Sequence, residues 1–447
     1  MFNFKKLLKP VQLMAYSVLF IATVLFINMI LEYATVNDVE YYTRLMIHEL
    51  YHQEKNIDVL FLGPSRCYRA LNPSITDAIF GENTFNAGSS AQCWDGSYAL
   101  LVEAGKQNNL KKVYVEIGHN PRLDAVYKER KELTSTYIIS DYMRPSLNKV
   151  RYLLNASGEE YWMSSFFPLR RNWKNLFNIP EVLNTLEQKR SETYRNFQYW
   201  GDIETDTEYY AGKGYVVSKR VVEDEGHSAR GHFGKTQKPF SDDNVESLEK
   251  IIQYCKKNDI ELVFFSSPVT DFLLADAGDY DRYIQQASDF AKAHGVEYYD
   301  FNICRREYFS YASEYYYDAY HLNMYGAEAF SILFSKFFVG EISEEELFYP
   351  SYNAKIQHAK ETLYGLIYEI EKTDTAKIYT FSSVQNRPFP YKASVLKKVQ
   401  GTDVCMEIQA MGKLESIQLP VDEKGELIIQ VFSGDGQDIV NKISISY

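Results

Sequence analysis

Four short segments carry residues whose types and spacing could act on an acyl group. Ser65 follows an apolar run, Asp58 to Leu62, and the breaker Gly63-Pro64. A serine at such a strand-to-helix turn exposes its hydroxyl. Its own N–H, at the start of a helix, can stabilise an anion. A second short strand, Asn83 to Asn86, runs into Ala87-Gly88-Ser89-Ser90-Ala91. A third, Lys112 to Ile117, runs into Gly118-His119-Asn120. An Asn after a glycine at that edge can donate its side-chain amide to an oxyanion. Asp318-Ala319-Tyr320-His321 stands just before a closing helix. Asp and His three apart can place the carboxylate on imidazole Nδ1 and leave Nε2 for the serine. A bare serine is a poor nucleophile, so that base is what Ser65 needs.

Other candidates compete. His48-Glu49-Leu50-Tyr51-His52 matches HExxH, which on a helix puts two imidazoles on one face beside a carboxylate. No third ligand is evident, and a packing helix is expected there, so no metal and no cofactor are assigned. The five cysteines match no metal spacing. Cys67 and Cys93 flank the motif segments and are the pair to test for a disulfide in an oxidising compartment. Arg66, Trp94, His119 and Tyr320 adjoin the motifs. They are the candidates for substrate contact, with core packing the competing role.

The elements that must position these residues follow from periodicity. The three strands are joined by a fourth, Ile260 to Phe265, and a fifth, Val296 to Phe301. Helical spacing occupies Tyr98 to Gln107, Asp243 to Lys257, Tyr280 to His294 and Gly326 to Phe338. Strands alternating with helices imply a parallel sheet with helices on both faces, whose ligands bind beyond the carboxyl ends of the strands. Pro121 to Phe240 is far longer than a crossover needs and holds Trp162, Trp173 and Trp200. It reads as an inserted lid or substrate-binding layer. Glu344 to Lys372 reads as charged and helical. From Lys377 short strands and turn residues indicate a β-sandwich.

Lys5, Lys6 and Lys9 precede Leu13 to Leu31, a run of 19 residues without a charge. That length spans a bilayer core as a helix, and basic residues before it with acidic ones after it place the N-terminus inside. An uncleaved anchor is expected, with a signal peptide as the competing reading. The 447-residue chain has 45% hydrophobic residues and a net charge of −12. That composition excludes a disordered chain or a multi-span transporter, and argues against nucleic acid as partner. Tyr 37 and Phe 27 suit either sugar stacking or a large aromatic core.

Together the four segments resemble the SGNH/GDSL hydrolase family over about residues 57–340. Gly63-Pro64-Ser65 resembles its Gly-Asp-Ser block, with Pro64 in place of Asp. Asn86 and Ala91 resemble its Asn and Gly, with Gly88 as the other placement for the glycine. Gly118-His119-Asn120 resembles Gly-x-Asn, and Asp318 with His321 resembles Asp-x-x-His. The resemblance implies a flavodoxin-like three-layer α/β/α fold. It also implies a Ser65–His321–Asp318 triad and an oxyanion hole from Ser65, Gly88, Ala91 and Asn120.

The organisation expected is an anchor at 1–33, an SGNH-like domain at 34–345 with an insertion at 121–240, a helical connector at 346–376 and a β module at 377–447. The layout is similar to bacterial proteins that handle acetyl or D-alanyl esters on cell-surface glycopolymers, some beside a membrane-bound O-acyltransferase. The expected function is therefore an extracytoplasmic esterase or O-acyltransferase. The alternative is a non-catalytic polymer-binding or scaffolding protein that partners such an acyltransferase.

Overall fold

The structure is a computed structural model. It describes residues 4–38, 42–119, 133–198, 207–222, 227–232, 240–402, 404–432 and 439–447. The chain forms two compact units, Met1–His48 with Tyr127–Glu204, and Glu49–Val126 with Thr205–Tyr447.

The second unit is built on a parallel sheet of five strands: β1 Val59–Leu62, β2 Thr84–Asn86, β3 Lys112–Glu116, β4 Glu261–Ser266 and β5 Glu297–Asp300. Their order is β2-β1-β3-β4-β5. The chain leaves β1 toward one edge and returns to β3 on its other side, so the exits of β1 and β3 diverge. A crevice opens at such a switch point. β1 is four large apolar residues, all buried, as expected of a strand covered on both faces. Each such side chain contributes about 1.5–3 kcal/mol on burial. Successive residues of β4 point to opposite faces. Phe265 meets Phe334 of the helix Met324–Phe338 at 5.3 Å, and Phe264 meets Phe290 of the helix Tyr280–His294 at 6.3 Å. The architecture is thus α/β/α, and much of the phenylalanine lies in the layer around Phe330, Phe334, Phe337 and Phe338.

The C-terminal region is all-β. One sheet runs Ser416–Pro420, Ala376–Gln385, Leu363–Lys372, His227–Arg230; the other runs Cys405–Gly412, Lys392–Val399, Gly425–Phe432, Ile439–Ser446. Leu366 and Tyr379 of the first share a core with Val395, Leu427 and Ile443 of the second. Two expectations need correction. Leu363–Lys372 is a strand, not part of a helical connector, so a boundary at 377 would cut a hairpin. Its Tyr368-Glu369-Ile370-Glu371 alternation has the strand period of two. His227–Arg230, inside the expected insertion, pairs in parallel with Leu363–Lys372.

The insertion is therefore not one lid. Within the first unit, residues 133–198 form short helices, of which those between Pro168 and Arg190 pack on the long helix Phe4–Thr35. That helix contains the one described segment long and apolar enough to cross a membrane, Gln12–Thr35, with mean hydropathy 2.2 and its residues 12–27 exposed. Lys189, buried, donates to the carbonyls of Tyr33 and Val36 at its C-terminal end. Lys189 also pairs with Asp38 at 2.9 Å. A cation at that end complements the helix dipole. Residues 207–222, with a hairpin Glu208–Gly212/Tyr215–Ser218, belong to the second unit.

Just after the carboxyl end of β4, Asp271 is buried between Lys355 at 2.9 Å and Arg306. Burial pushes its carboxyl up, but the two cations more than offset that and hold it below its ordinary value. A carboxylate so depressed contributes stability above its unfolded-state pKa, and that contribution is lost as pH falls through the lower folded value. Lys355→Met should therefore cost about 3–5 kcal/mol at neutral pH. The loss should shrink on acidification, measured by urea unfolding of the full chain across pH.

Candidate active site

Three chain segments meet at the carboxyl end of β1. Ser65 is the first residue of the short helix Ser65–Ala70, which has no side-chain cap at Pro64. Its N–H has no helical acceptor, and none takes it among the described residues. Gly63 is required just before it. A Cβ there would lie 2.6 Å from Cβ of Glu116 on β3 and 3.0 Å from Cβ of Cys67.

His321 and Asp318 come from the loop before the helix Met324–Phe338. Oγ of Ser65 lies 2.7 Å from Nε2 of His321, and Nδ1 of His321 lies 2.9 Å from both carboxylate oxygens of Asp318. The carboxylate also accepts from the N–H groups of Tyr320 at 2.8 Å and His321 at 2.9 Å. Burial raises the Asp318 carboxyl, but His321 and these bonds more than offset it, leaving it below its ordinary value. An ionised Asp318 fixes the tautomer that carries its proton on Nδ1, so Nε2 is a lone-pair acceptor facing the serine hydroxyl.

Other residues aim this loop. Thr270, after β4, donates its hydroxyl to the carbonyl of Ala319 at 3.0 Å. Asn323 is fully buried. It accepts from the N–H groups of Tyr325 and Gly326 and donates to the carbonyl of Tyr316 at 3.2 Å. Neither residue is singled out by the motif. The signal for Asn323 was an Asn directly before an apolar helix, the mark of an N-cap.

The neighbours of the motifs sort by burial. Arg66 is not a substrate arginine. It is 5% exposed, donates to the carbonyls of His119 at 2.9 Å and Gly118 at 2.8 Å, and lies 3.6 Å from Glu116. Trp94 is no pocket wall, being wholly buried edge-on to Phe240 at 5.2 Å. His119 packs against Tyr283 at 5.3 Å. Burial and the Arg66 charge push its imidazole down to about 4, so it is neutral at pH 7. Tyr320 remains at the site, half-buried, its ring 6.3 Å from that of His321.

Among the oxyanion candidates, the N–H of Gly88 is taken by the Asn86 side chain at 3.1 Å, which removes it as a donor. Ala91 has φ +50°, the left-handed conformation that glycine adopts without strain. No acceptor takes its N–H among the described residues. Asn120 lies outside the described residues.

Cys67 and Cys93 are free thiols rather than a disulfide. Cys67 is buried and donates to Asn86. In the HExxH segment, His48 stacks on Phe197 at 3.6 Å, and half-buried Glu49 accepts from Tyr210 and from the N–H of Lys213 at 2.7 Å. Glu49 is thereby committed to holding a hairpin turn. Among the described residues no group of three His, Cys, Asp or Glu is placed to hold a metal.

No family model and no curated protein matches the chain. A solved structure from Streptococcus pneumonia, whose description names platelet activating factor, matches at 13% identity. The match covers 71% of this chain and 97% of that one, with a TM-score of 0.32. So loose a likeness carries no argument about activity.

The left-handed Ala91 yields a stability test. Glycine there removes about 1–2 kcal/mol of strain and adds about 0.4–1 kcal/mol of unfolded-state entropy. Ala91→Gly should therefore raise stability by about 0.5–1 kcal/mol, read as a higher unfolding midpoint.

Proposed function

We propose that the protein is an SGNH/GDSL-type serine esterase or O-acyltransferase, held in a membrane by its N-terminal helix. The N-terminus would lie in the cytoplasm and the α/β unit outside. Its substrates would be acetyl or D-alanyl esters of a cell-surface glycopolymer, with a membrane-bound O-acyltransferase as a candidate partner. The observation that carries the reading is the relay from Ser65 through His321 to Asp318, at 2.7 Å and 2.9 Å, at the switch point of a parallel sheet.

In this reading Oγ of Ser65 attacks the ester carbonyl carbon while its proton passes to Nε2 of His321. Asp318 stabilises the imidazolium that results. The negative charge that develops on the carbonyl oxygen meets the N–H of Ser65, with Ala91 and Asn120 as further donors. Collapse breaks the bond to the alcohol, which leaves with the proton from Nε2. Water or a sugar hydroxyl then gives its proton to Nε2 and attacks the acyl-serine, and Ser65 leaves with that proton. Hydrolysis and transfer differ only in this acceptor.

A fluorophosphonate probe should label Ser65 in the full chain, found by mass spectrometry of the modified peptide. Ser65→Ala should abolish labelling. Ser65→Ala and His321→Ala should each lower kcat/KM on an acetyl ester by at least about 10³-fold. A folded chain that resists the probe and turns over no ester would leave the polymer-binding or scaffolding role in its place.

A further inference from the structure

The first unit exposes an unusual run of large apolar side chains. In the helix Leu147–Ala156, Tyr152, Leu153 and Ala156 are buried, while Leu147, Val150 and Leu154 form an exposed stripe on the opposite side. A helix apolar on two faces needs apolar cover on both. The next short helices repeat the pattern. Trp162 and Phe166 are exposed at i, i+4, as are Trp173 and Phe177, at 50% and 76%, and Ile179 and Leu183. Water is a poor neighbour for so much apolar surface in one segment.

The same unit says what covers it. Gln12–Thr35 at 1.5 Å per residue is about 36 Å long, against a hydrocarbon core of about 30 Å. Its last turn therefore reaches headgroup level, where tyrosine and tryptophan concentrate. The exposed helices are tied to that turn. Asn175, between Trp173 and Phe177, donates to the carbonyl of Thr35 at 3.0 Å, and Tyr33 donates to the carbonyl of Lys189 at 3.2 Å. Arg170 and Lys174, both exposed, flank the aromatic pairs and suit anionic headgroups.

We infer that the helices between Leu147 and Leu183 form an interfacial layer that sinks its aromatic and aliphatic side chains into the outer leaflet beside the spanning helix. The inference rests on reading the N-terminal helix as a retained anchor. An amphipathic layer of this kind buries its apolar side about 5–10 Å deep. It would hold the chain against the bilayer at a second place.

The test uses the full chain in phosphatidylcholine/phosphatidylglycerol vesicles, with and without brominated phosphatidylcholine, which quenches tryptophan at acyl-chain depth. Brominated lipid should lower the emission, and Trp162→Phe/Trp173→Phe should lose most of that quenching. Phe20→Trp in the double variant should restore it, which reports the anchor separately. Quenching of Phe20→Trp without quenching of Trp162 and Trp173 overturns the interfacial layer and leaves the anchor standing. Failure of Phe20→Trp to be quenched overturns the anchor. Quenching of Trp162 and Trp173 that appears only once the protein is diluted in excess lipid would assign the face to a second copy of the chain.

Discussion

The site depends on a buried cation. The Arg66 guanidinium sits under the turn that carries Ser65, and in low dielectric it must find acceptors. It finds them in the carbonyls of Gly118 and His119 and the carboxylate of Glu116. Glu116 accepts in turn from the N–H of Gly118 and the hydroxyl of Ser267. The exits of β1, β3 and β4 are thereby joined by one polar knot. Burial raises the Glu116 carboxyl, opposed by Arg66, and its second oxygen finds no hydrogen-bond partner among the described residues. Such a pair holds geometry rather than adding much net stability. Asn86 completes the clamp by donating to the carbonyls of Cys67 and Leu71 at the far end of the Ser65 helix.

The His321 side is held differently. Asp318 is positioned by N–H groups of its own loop and then orients the imidazole. The loop is fastened by a hydroxyl from the end of β4 and by the cap of the closing helix. Ser65 and His321 thus reach 2.7 Å from two separately braced segments. Pre-set geometry of this sort lowers the reorganisation a reaction requires.

How much of this was legible in the sequence depended on how local the cause was. Strands β1 and β4 were legible because each is a short apolar run stopped by a breaker, Gly63-Pro64 for one and Ser266-Ser267-Pro268 for the other. The Asp318–His321 pairing was legible because both residues lie in one turn. The fate of Arg66 was not, since its acceptors lie some fifty residues away and two of them are backbone carbonyls, which leave no mark on residue type. Trp94 was misplaced for the same reason: its partner Phe240 is remote in sequence. Leu363–Lys372 was misread because its alternating Glu369 and Glu371 look like a solvated helix face until the hairpin partner is known.

The parallel pairing of His227–Arg230 with Leu363–Lys372 also orders events during synthesis. The first strand is made long before its partner and sits at the edge of its sheet. Until the later residues emerge, its backbone donors and acceptors have no ladder to join. Closing so long a loop costs entropy, and contacts of high sequence separation form slowly. The α/β core and the β-sandwich therefore cannot mature one after the other as beads on a string. The nascent chain carries an unpaired strand edge until Leu363–Lys372 is made, the state in which holding chaperones and proteases compete for it.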